Sequence, residues 1–257
     1  MASLQSLRED ALFALEELGA EHQDPADAES QIGLWHSYCG HLINAGYVSL
    51  LADADPKSFS LFLTRSGANW RILLQRARQG GFVVPAYRNQ PLLGVMATDN
   101  VPLAGELAQL SARAREAPEY ADEFLYAFFL QEVIASLAGA PLHKRALIQT
   151  VAELRQEADD ARATLSQAIL DGNAADFWSA LEDRGRDHAA EMEERRKTGN
   201  YFTWRGARFV WLEGLALVRV AARLGFGAAP VTLPNLPPLA LAASPALDDG
   251  AFLLAWA

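Results

Sequence analysis

The chain has 257 residues, 51% hydrophobic and 21% charged, with a formal net charge of −10. That composition excludes a disordered chain, and the length suffices for a sizeable core. A single cysteine, Cys39, excludes an intrachain disulfide and fits a reducing compartment. The polar start, Met1 to Asp10, reads as no secretory leader. Glu132, Glu213 and Arg219 interrupt the longest apolar stretches, so no membrane span is expected and the cytoplasm is the expected location.

The charge is uneven: residues 1–60 carry net −8, residues 61–115 net +5 and residues 116–257 net −7. A nucleic-acid binder shows a dominant basic footprint, and this chain has the opposite sign with one basic island, Arg65, Arg71, Arg76, Arg78 and Arg88 with Trp70 and Tyr87. The island could hold phosphate or a single strand. Pairing with the acidic N-terminal segment is the favoured expectation, and no direct nucleic-acid binding is expected. A basic protein partner suits the overall balance better.

Leu4, Leu7, Ala11, Leu15 and Leu18 recur at helical spacing up to Gly19. An acidic loop from Glu21 to Ser30 follows, then a helix over Ile32 to Leu51 and another from Pro56 to about Thr64, capped by Asp55. Helical character continues from Asn69 to Gln79 and stops at Gly80 and Gly81. Phe82 to Val84 and Leu92 to Met96, bracketed by Pro85 and Pro91, predict a small irregular hairpin or extended loop near 82–96. Helices then follow over Leu103 to Glu116, Tyr120 to Leu137, Pro141 to Leu170, Asp176 to Lys197 and Trp204 to Leu224. The Tyr120 to Leu137 helix is apolar all round and should be central. Five prolines from Pro230 to Pro245 argue against helix there. Leu233, Leu236, Leu239 and Leu241 suggest an extended segment lying on the body, with Phe252 to Trp256 docking. The whole reads as an all-α protein of one multi-helix domain, residues 1–257, with a possible N-terminal subdomain over 1–100 and a Pro-rich tail over 230–257.

His36, Cys39 and His41 are metal-ligand types, but on a helix His41 leaves the face shared by the other two, so no metal site and no cofactor is expected. Asp159 and Asp160 lack the further acid a magnesium-binding helix needs one turn on. His188 lies on an apolar seam and reads as a packed, hydrogen-bonded histidine. Glu132 and Glu213 sit inside apolar helices and must be paired, bonded or neutral. Arg205, Arg208 or Arg219 are the expected partners of Glu213. No nucleophile pair or phosphate-cradling glycine loop accompanies them, and no catalytic residue is assigned.

The most distinctive pattern is Asp183, Asp187, Glu191 and Glu194, which helical spacing places on one face at a cost of roughly 0.2–0.5 kcal/mol per like-charge pair. The ordinary reading is a solvated face partly neutralised by Arg184, Arg186 and Arg195. The sharper one is a surface kept for a basic partner.

Asp176-Phe177-Trp178-Ser179-Ala180-Leu181 with His188, then Val210-Trp211-Leu212-Glu213-Gly214-Leu215-Ala216-Leu217 through Ala221 to Leu224-Gly225, then Leu233-Pro234 and Pro237, resembles the immunity protein 49 family. Glu119-Tyr120-Ala121-Asp122-Glu123-Phe124-Leu125-Tyr126 is similar to that family's acidic-aromatic helix start, so the likeness spans about residues 103–241. Thr232 stands where the family pattern has an aromatic. Tyr201-Phe202-Thr203-Trp204 resembles, less closely, other helical immunity families that guard against nuclease toxins.

The resemblance implies a non-enzymatic antitoxin of a bacterial polymorphic-toxin or type VI secretion system. Its partner would be a cognate toxin effector, most often a basic nuclease domain, masked by an acidic face. Asp183, Asp187, Glu191 and Glu194 are the first candidates for toxin binding, and the loop acids Asp24, Asp27 and Glu29 the second. Two other readings stay open: a helical scaffold or regulator holding a peptide between helices, and a metal-dependent helical enzyme using Glu132 or Glu213.

Overall fold

The apolar repeats become eleven α-helices among the residues that the computed structural model describes, which are 4–20, 27–117, 119–198, 206–228, 233, 235–247 and 250–254. In chain order they are α1 (Leu4–Ala20), α2 (Ala28–Asp53), α3 (Pro56–Gly80), α4 (Gln90–Ala97), α5 (Val101–Leu110) and α6 (Ala121–Leu137). Then come α7 (Lys144–Glu157), α8 (Ala161–Asp171), α9 (Ala174–Thr198), α10 (Leu212–Leu224) and the single-turn α11 (Pro238–Leu241). No strand occurs among the described residues, and the fold is all-α. None of the helices is long and apolar enough to cross a membrane.

Local chemistry sets most boundaries. Asp55 caps α3 by accepting from the amides of Lys57 (2.9 Å) and Ser58 (3.1 Å), with Pro56 in the first turn where its missing N–H costs nothing. Helix α3 runs unbroken through Gly67, where a Cβ would lie 2.2 Å from Val95 Cγ2 of α4. The glycine allows the close approach. Gly225 ends α10 in the left-handed region at φ 78°, as the sequence suggests.

Several sequence expectations need correction. Residues 92–96 are helical, within α4: Pro91 is a first-turn proline instead of a strand boundary, and only residues 82–89 are irregular. The helix expected over 141–170 is two helices, broken at Ala158 to Asp160. There the Asp160 carboxylate accepts from the amides of Arg162 (2.8 Å) and Ala163 (3.4 Å) and starts α8. The Pro-rich tail holds one helical turn, α11, with Pro238 at its start, and the helix expected over Trp204 to Leu224 is interrupted over residues 208–211 before α10 begins at Leu212, Trp204 itself lying outside the described residues.

Trp35, Trp70, Trp211, Phe59, Phe129 and Phe177 lie at the centre of one contiguous apolar core that runs from Leu15 to Leu254. Helices α2 and α3 pack along each other, α1 lies on α2, α4 is held against α10, and α8 pairs with α9. Helix α6 packs on α5, α7, α8 and α10. The tail docks in part as expected: Leu233 and Leu236 are buried, Tyr38 Oη and Asn69 Nδ2 both donate to the Phe252 carbonyl (3.0 Å each), and the Leu254 amide donates to Asn69 Oδ1 (3.0 Å), whereas Leu241 is exposed and Trp256 lies outside the described residues.

Candidate functional site

Helix α9 has two working faces. Phe177, Trp178, Leu181, Gly185, His188 and Met192 are buried against the body. Asp183, Asp187, Glu191 and Glu194 are all exposed, as the periodicity requires. Their local partners are weak or peripheral: Asp183 pairs with Arg186, Glu194 lies 3.6 Å from Lys197, and Asp187 has no ion pair among the described residues. Such exposed pairs contribute about 0–1 kcal/mol. Glu191 differs, because Arg184 reaches it at 2.9 Å from a partly buried position.

Arg184 is the link between the ridge and the interior. It donates from Nε and Nη2 to both carboxylate oxygens of Glu213 (3.1 and 2.9 Å), and Tyr126 Oη donates to Glu213 Oε1 at 2.7 Å. Burial and the Glu213 charge push the Tyr126 hydroxyl well above its ordinary range. The Arg184 guanidinium is held charged, burial being outweighed by Glu213, Tyr126 and Glu191 together. Arg219, one of the partners expected for Glu213, instead donates to the carbonyls of Ala97, Leu241 and Ala243. Arg205 lies outside the described residues. The spacing did hold a signal: Arg184 sits between Leu181, Gly185 and His188 on the apolar seam, where a cation needs a buried acid.

A cleft opens beside the ridge. A cavity of about 220 Å³ and a larger one of about 450 Å³ share Tyr87, Asn89, Leu93, Arg184, Glu191 and Glu213 as lining. The smaller adds His188 and Trp211, whose rings stack at 5.4 Å, and His188 Nε2 lies 3.1 Å from the Ala207 carbonyl. Burial lowers the His188 pKa, so the ring is neutral and donates this bond. The larger adds His36, Arg88, Glu123, Tyr126 and Arg162. Burial, with Arg88 nearby, brings His36 down to about 4.

The other candidates are placed as follows. Asp27 caps α2 by accepting from the Ser30 amide (2.8 Å), Glu29 is exposed in the first turn of α2, and Asp24 lies outside the described residues. Glu132 pairs with Arg113 and with His143 Nδ1 at 3.0 Å. Cys39 is buried, donates to the Ser66 carbonyl (3.3 Å), and burial pushes its thiol up to about 12. Among the described residues no three His, Cys, Asp or Glu side chains converge to hold a metal. Two arginines of the basic island, Arg71 and Arg78, are held by α5 instead of by the acidic N-terminal segment. Arg71 pairs with Glu106 (3.0 Å), Arg78 donates to the Gln109 carbonyl, and Arg65 stacks between Phe62 and Phe252. Helix packing brings α5 and the tail to these arginines.

The fold and site define an all-α protein whose exposed acidic helix face borders a polar cleft. Comparison with protein-family models, with curated proteins and with solved structures gave no match.

Proposed function

We propose that this protein is an immunity protein that binds a basic toxin domain, of nuclease type, and masks its active surface in the cytoplasm of the producing cell. The observation that carries the reading is the ridge itself: four acids exposed along one face of a helix whose other face is fixed to the core and to Glu213. A toxin that grips nucleic acid presents a basic groove, and acids on a fixed scaffold meet it with fast association and little ordering cost. Such an interface would bury about 1,200–2,000 Å² and reach nanomolar affinity, about −12 kcal/mol. The metal-dependent enzyme reading draws no support from Glu132 or Glu213, since each already has cationic partners.

The test is co-expression. The open reading frame immediately upstream is expressed alone and together with this protein, and survival is scored. Rescue that disappears when Asp183, Asp187 and Glu194 are changed to Lys in a still-folded chain supports the reading. A harmless neighbour, with no toxin recovered by pull-down, sinks it.

A further inference from the structure

The larger cavity is lined by four arginines, Arg88, Arg162, Arg184 and Arg195, and only two are matched by carboxylates. Arg162 binds Asp160 and Asp122 at 2.7 Å each, and Arg184 binds Glu213 and Glu191 at 2.9 Å. The Arg88 side chain makes one hydrogen bond, from Nε to Tyr87 Oη at 3.3 Å, and packs over that ring at 5.8 Å. Arg195 has no carboxylate partner among the described residues, although its own helix is rich in acids. Glu123, Glu191 and Glu213 are the carboxylates in the lining; the last two are engaged by Arg184, and burial with Asp122 nearby raises the Glu123 pKa against the opposing pull of Arg162.

Two further groups of donors lie beside that cavity, one lining both cavities and one lining the smaller. Asn89 and Gln90, which line both cavities, begin α4, and the Asn89 side chain makes no capping bond. Pro91 supplies no N–H, so the amides of Gln90 and Leu92 form the electropositive end of the helix without a side-chain acceptor. Trp211 lines the smaller cavity, is 2% exposed, and its Nε1 donor is buried without an acceptor. Unmatched donors thus come from the loop before α4, from α4, from α9 and from Trp211.

We propose that this cleft binds the phosphoryl group of a small molecule, with Arg88 and Arg195 as its cationic ligands at the N-terminus of α4. A phosphoryl group offers three acceptor oxygens in a tetrahedral array, which suits donors arriving from several directions better than a planar carboxylate does. The larger cavity, about 450 Å³, falls in the range of small-ligand sites, and with the adjoining 220 Å³ it leaves room for a mononucleotide-sized molecule. His36, kept neutral beside Arg88, becomes a reporter: an anion that neutralises Arg88 raises its pKa. The assignment does not rest on toxin binding.

The experiment is calorimetric and NMR titration of the full chain with inorganic phosphate, pyrophosphate and AMP, with citrate as a carboxylate comparator. Saturable binding of pyrophosphate or AMP is expected, weakened about tenfold or more by Arg88→Gln or Arg195→Gln and unchanged by Arg186→Gln, whose guanidinium pairs outside the cleft. In the unaltered protein the Gln90 and Leu92 amides, the Trp211 indole N–H and the His36 ring should shift together, a readout that stands even if a variant fails to fold. Absence of saturable binding up to about 10 mM, at the weak end of phosphate affinities, overturns the proposal. So does equal weakening by Arg186→Gln, or binding of citrate alone.

Discussion

Arg184 and Glu213 form a two-pronged pair across the α9 and α10 interface, with side chains only 12% and 13% exposed. Tyr126 completes it from α6, so one carboxylate fixes three helices. Removing one partner of a buried pair strands the other charge and costs roughly 3–5 kcal/mol. Arg184→Met should therefore lower the melting temperature by on the order of 10 °C. The double change Arg184→Met with Glu213→Leu should recover part of that loss, because no charge is then left unmatched. Thermal melts of the three chains decide it, and an Arg184→Met protein as stable as the parent would remove the pair from the account of the fold.

Acid should weaken the fold before its carboxylates titrate. Burial lowers the pKa of His188 and His41, and burial with Arg88 brings His36 to about 4 from 6.5. Below pH 6.5 the unfolded chain takes up protons that the folded chain refuses, so stability is full above that value and falls as pH drops toward about 4. For His36 alone the complete effect is on the order of 3 kcal/mol. Urea unfolding between pH 7.5 and 4.5 should show this slope, and His36→Gln should flatten it. A second loss follows lower down, where Asp27 and Asp55, held low by hydrogen bonds from Ser30 and Ser58, lose their capping charge.

Helices α5 and α6 meet at a point with no spare space. A Cβ on Gly105 would lie 2.2 Å from the Cβ of Ala138, an atom with no torsion by which to move aside. Gly105→Ala gains helix propensity of about 1 kcal/mol at best, yet it must separate two backbones. The net outcome should be destabilisation of about 1–3 kcal/mol, the usual range for overpacking. Ala138→Gly in the same chain should restore most of it. Chemical denaturation of the single and double variants measures the coupling, and additive effects would show that the two residues do not press on each other.

The parts of this fold that local chemistry governs are readable from the chain: Asp55 before Pro56 starts a helix, Gly225 ends one, and acids at steps of three and four mark an exposed face. Helix α4 was hidden because Pro91 serves equally as a strand boundary or as a first-turn residue. What selects the second is packing: a Cβ on Gly94 would lie 3.3 Å from Leu63 Cδ2, so the glycine lets α4 sit close on α3, and α10 holds the other side. The break at Ala158 to Asp160 was hidden for the opposite reason, since nothing apolar interrupts the repeat there and a capping carboxylate alone divides it. The ridge was legible as a pattern on one helix. The cleft was not, because Arg88, Tyr126, Arg184 and Glu213 lie on four separate segments and acquire common meaning only when α6, α9 and α10 converge.

The ridge acids should separate by partner. Asp187 has no ion pair among the described residues and Glu194 only a long one, so changing either to Lys should move stability by no more than about 0.5 kcal/mol. Glu191→Lys should cost more, since it places a cation beside Arg184. If the ridge docks a basic toxin, Asp187→Lys and Glu194→Lys should act on association: the on-rate falls about tenfold or more at low salt, and the difference shrinks as ionic strength rises and screens the charges. Stopped-flow association at two salt concentrations, with equilibrium unfolding of the same variants, separates these effects. On-rates that match the parent at both concentrations would move toxin docking away from α9.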